Sequence, residues 1–106
     1  MSILHEKIKR LERYLAAEDA DTDRVVEQTV DKLLERETAR LTKLKTHLEQ
    51  QLKDYEKQYA IESAQFHARF ERGEMGDGTD FVEWSATYEM LEGLNRRLAL
   101  LLSEAT

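Results

Sequence analysis

The sequence predicts an all-α fold, an elongated helical hairpin or bundle with one long central helix and dimeric coiled-coil contacts. The chain of 106 residues has no proline and only four glycines, so long helices can run without interruption. Apolar residues recur at the three- and four-residue spacing of one helix face. Charged residues make up 36% of the chain, against about 25% in an average soluble protein. A single domain with so little apolar material is marginal alone, so we expect it to close its core with a partner.

The first predicted helix spans residues 1–20. Ser2 is placed to cap its start. The acidic stretch 18–23 then supplies several N-cap candidates, which predicts that one helix ends and another begins there. Alanines in the same stretch favour a helix, so continuity between the two helices stays open. The apolar stripe of this helix comprises Leu4, Ile8, Leu11 and Leu15.

The second predicted helix, residues 22–59, is the long one. At 1.5 Å per residue it measures roughly 55 Å, whereas a compact globule of this chain length is about 35 Å across. Part of the helix must therefore be covered by something, and a second copy of the chain is the simplest cover. The stripe comprises Val26, Val30, Leu33 or Leu34, Leu41, Leu44, Leu48, Leu52, Tyr55 and Tyr59.

A short helix over residues 63–72 and a loop follow. Ser63 is a candidate N-cap for this helix, and Gly73 is a candidate for the residue just past its end. The segment 73–79 holds three of the four glycines, which predicts a loop.

The last predicted helix spans residues 80–103. Asp80 with Glu83 three residues later is typical of a capping box. Seven of the eight aromatic residues lie between positions 55 and 88. At helical spacing such residues favour a core with Trp84 near its centre, and the alternative is an interface hot spot.

Composition disfavours several functional classes. The net charge of −6 disfavours general nucleic-acid binding. The absence of cysteine excludes a disulfide framework and thiol catalysis. No apolar run approaches the roughly 20 residues of a membrane span, and the N-terminus becomes charged before any signal-peptide core forms. These features predict a cytoplasmic protein.

Catalytic motifs are also missing. No serine has a recognisable histidine–aspartate setting, and no phosphate-binding glycine loop precedes a helix. His67 and Glu71 lie one helical turn apart, near Glu74 and Asp77, and are candidate ligands of a metal ion. No second histidine lies at the spacing that a metal site needs. An ordinary polar helix face is the favoured interpretation. The sequence therefore predicts a protein that is not an enzyme, with no catalytic, cofactor-binding or metal-binding residue.

The segment 55–98 carries a family likeness. Its specific part is the string Gly73-Glu74-Met75-Gly76-Asp77, followed by Asp80-Phe81 and Glu83-Trp84. This pattern resembles a group of small acidic helical proteins found in prokaryotic toxin–antitoxin gene pairs. The resemblance implies a cytoplasmic, non-enzymatic partner that neutralises a small ribonuclease-like toxin.

These lines of reasoning predict a protein-binding module that pairs with itself and acts as an antitoxin-like inhibitor of a small basic toxin. Loops set on rigid helices concentrate binding residues, and an acidic patch suits a toxin that presents basic residues to RNA. The alternatives are a structural homo-oligomeric coiled-coil scaffold and, less favoured, a small helical nucleic-acid-associated regulator. The predicted partner-binding residues are Glu71, Glu74, Asp77, Asp80, Glu83 and Trp84.

Overall fold

The computed structural model describes residues 2–17 and 20–103, and every regular element within them is an α-helix. The predicted all-α fold with one long helix is confirmed. The chain divides into two compact units, one that ends at Arg36 and one that begins at Glu37. The helices are α1 (Ile3–Leu15), α2 (Ala20–Tyr59), α3 (Ser63–Glu71) and α4 (Thr79–Leu102).

The start of α1 follows the sequence prediction. The Ser2 hydroxyl accepts a hydrogen bond from the His5 backbone N–H at 3.1 Å, which satisfies one of the free donors of the first turn. The helix ends at Leu15 rather than at the predicted residue 20. Glu18 and Asp19, two of the predicted capping residues, lie outside the described residues.

The C-terminal unit has a core made of two clusters. In the first, Leu41 and Leu48 of α2 pack against Leu94 and Leu98 of α4. The second surrounds Leu52, Phe66 and Trp84. In α2, Leu41, Leu48 and Leu52 are therefore covered by helices of their own chain, whereas Leu44 of the predicted stripe is exposed. The aromatic side chains packed around the second cluster are Tyr55, Tyr59, Phe70, Phe81 and Tyr88.

The end of α3 has the predicted glycine cap. Gly73 has a φ of 75°, which glycine adopts without a Cβ penalty. Its N–H donates to the Phe70 carbonyl at 3.0 Å, and the Glu74 N–H donates to the Arg69 carbonyl at 3.0 Å. This pair of bonds is the Schellman arrangement.

Two predicted helix starts are wrong in detail. The N-cap of α3 is Glu62, and Ser63 is the first helical residue. The N-cap of α4 is Gly78, which has no side chain to cap with, so Asp80 and Glu83 form no capping box. In both cases the side chain expected to cap the helix bonds instead to a residue distant in sequence.

Candidate partner-binding surfaces

Asp80 and Glu83 face tyrosines of α2. The Tyr59 hydroxyl donates to Asp80 Oδ2 at 2.6 Å, and the Tyr55 hydroxyl donates to Glu83 Oε2 at 3.2 Å. The bond to Asp80 raises the pKa of the Tyr59 hydroxyl. Burial is the main cause that raises the pKa of Tyr55, and the bond to Glu83 adds to it. These two carboxylates therefore anchor α4 to α2, which leaves them less available to a partner.

Glu74 and Asp77 occupy the exposed loop between α3 and α4. Glu74 forms an ion pair with Arg72. Asp77 forms no hydrogen bond or ion pair with any residue in the described part of the chain. Among the predicted acidic residues, Glu74 and Asp77 are the two that lie exposed in the loop between α3 and α4.

Trp84 lies in the core and not on the surface. Its side chain is 0% exposed. The indole ring stacks on Phe66 with centroids 3.8 Å apart and an interplanar angle of 1°. Its Nε1–H donates to the Ser63 hydroxyl at 2.9 Å. Of the two interpretations of the aromatic group, the structure favours the core.

Glu71 joins a cluster that the sequence did not reveal. His67 Nε2 lies 3.3 Å from Glu71 Oε1 and 3.2 Å from Glu89 Oε1. The first pair was visible in the sequence as a one-turn spacing on α3. Glu89 comes from α4, 22 residues from His67, and no local pattern pointed to it. The packing of α3 on α4 brings it into place.

The N-terminal unit exposes apolar side chains along both of its helices. We call the two rows the N-terminal apolar stripes. No side chain among the described residues 2–17 and 24–36 is buried. Leu4, for example, is 67% exposed. The stripes comprise Leu4, Ile8 and Leu11 on α1 and Val30, Leu33 and Leu34 on α2.

A groove of the C-terminal unit lies between α2 and α4. It is lined by Thr42, Lys45 and Glu49 on one side and by Asn95 and Leu102 on the other, among others. The groove is open to solvent. The groove therefore offers a surface for contact rather than an enclosed chamber.

Comparison with protein-family models, curated proteins and solved structures finds no match to this chain. The resemblance to antitoxin proteins therefore stays a prediction. No helix in the described ranges combines the length and the apolar character needed to cross a bilayer.

Proposed function

We propose that this protein is a cytoplasmic, non-enzymatic protein-binding module of the antitoxin type. It dimerises through the N-terminal apolar stripes and binds a small basic protein, such as a ribonuclease-like toxin, through the acidic loop between α3 and α4. The observation that carries the proposal is the contrast between the two units. The C-terminal unit closes a core around Trp84, whereas the N-terminal unit buries none of the apolar side chains that the structure describes in it.

The size of the apolar stripes supports association with another chain. Fully burying one Leu, Ile or Val contributes roughly 1.5–3 kcal/mol. The six stripe residues are on average about half exposed, so covering them contributes on the order of 4–9 kcal/mol per chain. A pair of chains gains about twice that, against an association cost of about 4–15 kcal/mol. The gain is therefore of the same order as the cost or larger, and we expect the chain to associate as a dimer.

Charge supports a second copy as the occupant of the stripes. Residues 1–15 carry four basic and two acidic side chains, a net charge of +2. Residues 16–31 carry one basic and six acidic side chains, a net charge of −5. The basic first helix of one copy therefore complements the acidic stretch of the other, which favours the pairing of like chains.

The acidic loop supports a basic partner. Glu74 and Asp77 are exposed, and the Schellman cap at Gly73 and the start of α4 at Thr79 fix the two ends of their loop. With a net charge of −6 over the chain, the field at the loop attracts a cationic surface. Such attraction increases the association rate and weakens as salt rises.

The test is binding to the product of the neighbouring gene, measured over a salt series. The variant Glu74→Lys with Asp77→Lys should bind at least about tenfold more weakly and show a flatter salt dependence. The control, Asp54→Lys with Glu92→Lys, makes the same change in net charge at exposed helix positions outside the loop. It should retain most of the affinity.

Two outcomes would contradict the toxin part of the proposal. In the first, the loop variant and the control bind equally well with the same salt dependence, and the loop is then not the interface. In the second, the wild-type protein does not bind the neighbouring product at all. A confirmed dimer would then favour the structural coiled-coil scaffold, which needs the apolar stripes but no toxin.

A further inference from the structure

A histidine and two glutamates converge where α3 packs against α4. His67 and Glu71 lie one turn apart on α3, and Glu89 reaches them from α4. One ligand atom from each residue lies within 4.8 Å of the other two. Glu71 and Glu89 lie outside the aromatic core, and His67 lies at its edge against Tyr88.

The spacing matches that of ligands around a small divalent ion. Zinc binds imidazole nitrogen at about 2.0–2.1 Å and carboxylate oxygen at about 2.0–2.2 Å in tetrahedral geometry. These bond lengths place neighbouring ligand atoms about 3.3–3.5 Å apart. The two separations from His67 Nε2, 3.3 Å and 3.2 Å, are close to that range. We propose that His67, Glu71 and Glu89 form a binding site for a first-row divalent transition-metal ion, with Zn²⁺ as the best fit.

The surroundings suit such a site. The His67 side chain is 19% exposed, and its ring packs on Tyr88 with centroids 4.7 Å apart. The imidazole is therefore held in place by packing. Glu71 and Glu89 are 57% and 59% exposed, so an ion can enter from solvent and keep a water molecule in its fourth position.

The donor set also selects the kind of metal. Magnesium and calcium prefer oxygen ligands alone, whereas one imidazole with two carboxylates suits zinc and its neighbours in the first transition row. The cluster holds no thiolate, because the chain has no cysteine. Copper(I) and iron–sulfur clusters, which need soft sulfur ligands, are therefore disfavoured.

An ion pair is the competing explanation for the same contacts. The ring N–H of an imidazole forms a well-directed hydrogen bond with only one acceptor. The contact of His67 with Glu89 has hydrogen-bond geometry. Glu71 is then a second carboxylate at 3.3 Å from the same nitrogen. A metal ion between the three side chains satisfies both carboxylates at once, which a single proton does not. The bound ion would join α3 to α4 outside the core, and this role does not depend on the partner proposed above.

The experiment is a calorimetric titration of the metal-free protein with zinc chloride, with magnesium chloride in parallel. We expect one zinc ion per chain with micromolar affinity and no measurable magnesium binding. Glu71→Gln and Glu89→Gln should each weaken zinc binding at least about tenfold, and His67→Gln should abolish it. Glu92→Gln and His47→Gln are the matched controls outside the cluster, and both should bind as the wild type does.

Far-UV circular dichroism of each metal-free variant verifies that the helices persist. The two glutamine variants alter exposed side chains, so they test the site even if His67→Gln unfolds. Absence of saturable zinc binding by the wild type at millimolar zinc would overturn the proposal and leave the cluster as an ion pair. Zinc binding that survives Glu89→Gln but is lost with His47→Gln would overturn it as well, because the ion would then lie elsewhere.

Discussion

Replacing Trp84 with alanine should remove the centre of the C-terminal core. The side chain is 0% exposed, and its ring stacks with Phe66 at a centroid distance of 3.8 Å and with Tyr55 at 5.4 Å. Deleting a buried tryptophan costs about 3–5 kcal/mol in free energy of unfolding. Each aromatic pair adds about 0.5–1.5 kcal/mol beyond its buried area. The loss should therefore lie at the upper end of the first range.

The hydrogen bond of the indole provides a finer test. Ser63→Ala removes the acceptor of Trp84 Nε1–H and leaves a buried donor unpaired, which costs about 1–3 kcal/mol. In a Trp84→Phe background there is no donor to leave unpaired, so Ser63→Ala should cost clearly less. The difference between the two costs measures the coupling of the pair. Ser85→Ala is the matched control, because Ser85 is also buried and does not bond to the indole.

The assay is urea unfolding followed by far-UV circular dichroism, since Trp84→Ala removes the only tryptophan. Small domains have about 5–15 kcal/mol of total stability. If the protein lies at the lower end of this range, Trp84→Ala leaves little folded protein, and Ser63→Ala then gives the measurable midpoint. An unchanged midpoint for Trp84→Ala would refute the buried placement of the ring. A Ser63→Ala loss equal to that of Ser85→Ala would refute the role of the hydrogen bond.

Two further predictions concern glycines and pH. Gly73→Ala should destabilise the protein by about 1–2 kcal/mol, because alanine is strained at the φ of 75° found there. No neighbouring atom lies within 4 Å of an added Cβ, so backbone strain is the only cost of the substitution. Gly93→Ala should stabilise the protein by about 0.5–1 kcal/mol, because alanine suits the interior of a helix better than glycine. An added Cβ would make only an ordinary contact there, at 3.6 Å. Urea midpoints that shift in opposite directions would verify both predictions. The bond to Asp80 raises the pKa of Tyr59 in the folded state, so its contribution to stability is present below about pH 10 and is lost as the pH rises through the raised pKa. Urea midpoints between about pH 8 and 11 should fall less steeply for Tyr59→Phe than for the wild type, and identical slopes would contradict the role of this bond.

The helices were predictable because apolar residues recur along the sequence at helical spacing. Of the stripe from Leu41 to Leu52, α2 buries every member except Leu44 in its own chain. The cap at Ser2 depends on a neighbour three residues away. The predicted caps at Ser63 and Asp80 are wrong because these side chains do not bond to near neighbours in the sequence. Each side chain bonds instead to a residue distant in the sequence, and sequence spacing does not reveal that partner.

The candidate site was predictable only in part. A run of acidic residues was visible in the sequence, but in the structure its members make different contacts. Asp80 and Glu83 bond to tyrosines, Glu71 joins His67, and the loop pair remains exposed. Glu89 could not be found from local spacing, because its place beside His67 depends on how α3 packs on α4.

The central claim is that the N-terminal apolar stripes bind a second copy of the chain. Light scattering behind a sizing column at micromolar concentration measures the mass directly. We expect twice the 12.4 kDa of one chain. The variant Leu4→Gln with Leu33→Gln should shift to the single-chain mass. The control on the polar face of α1, Glu6→Gln with Arg13→Gln, should show no shift. A fully helical wild-type protein at 12.4 kDa would contradict the claim.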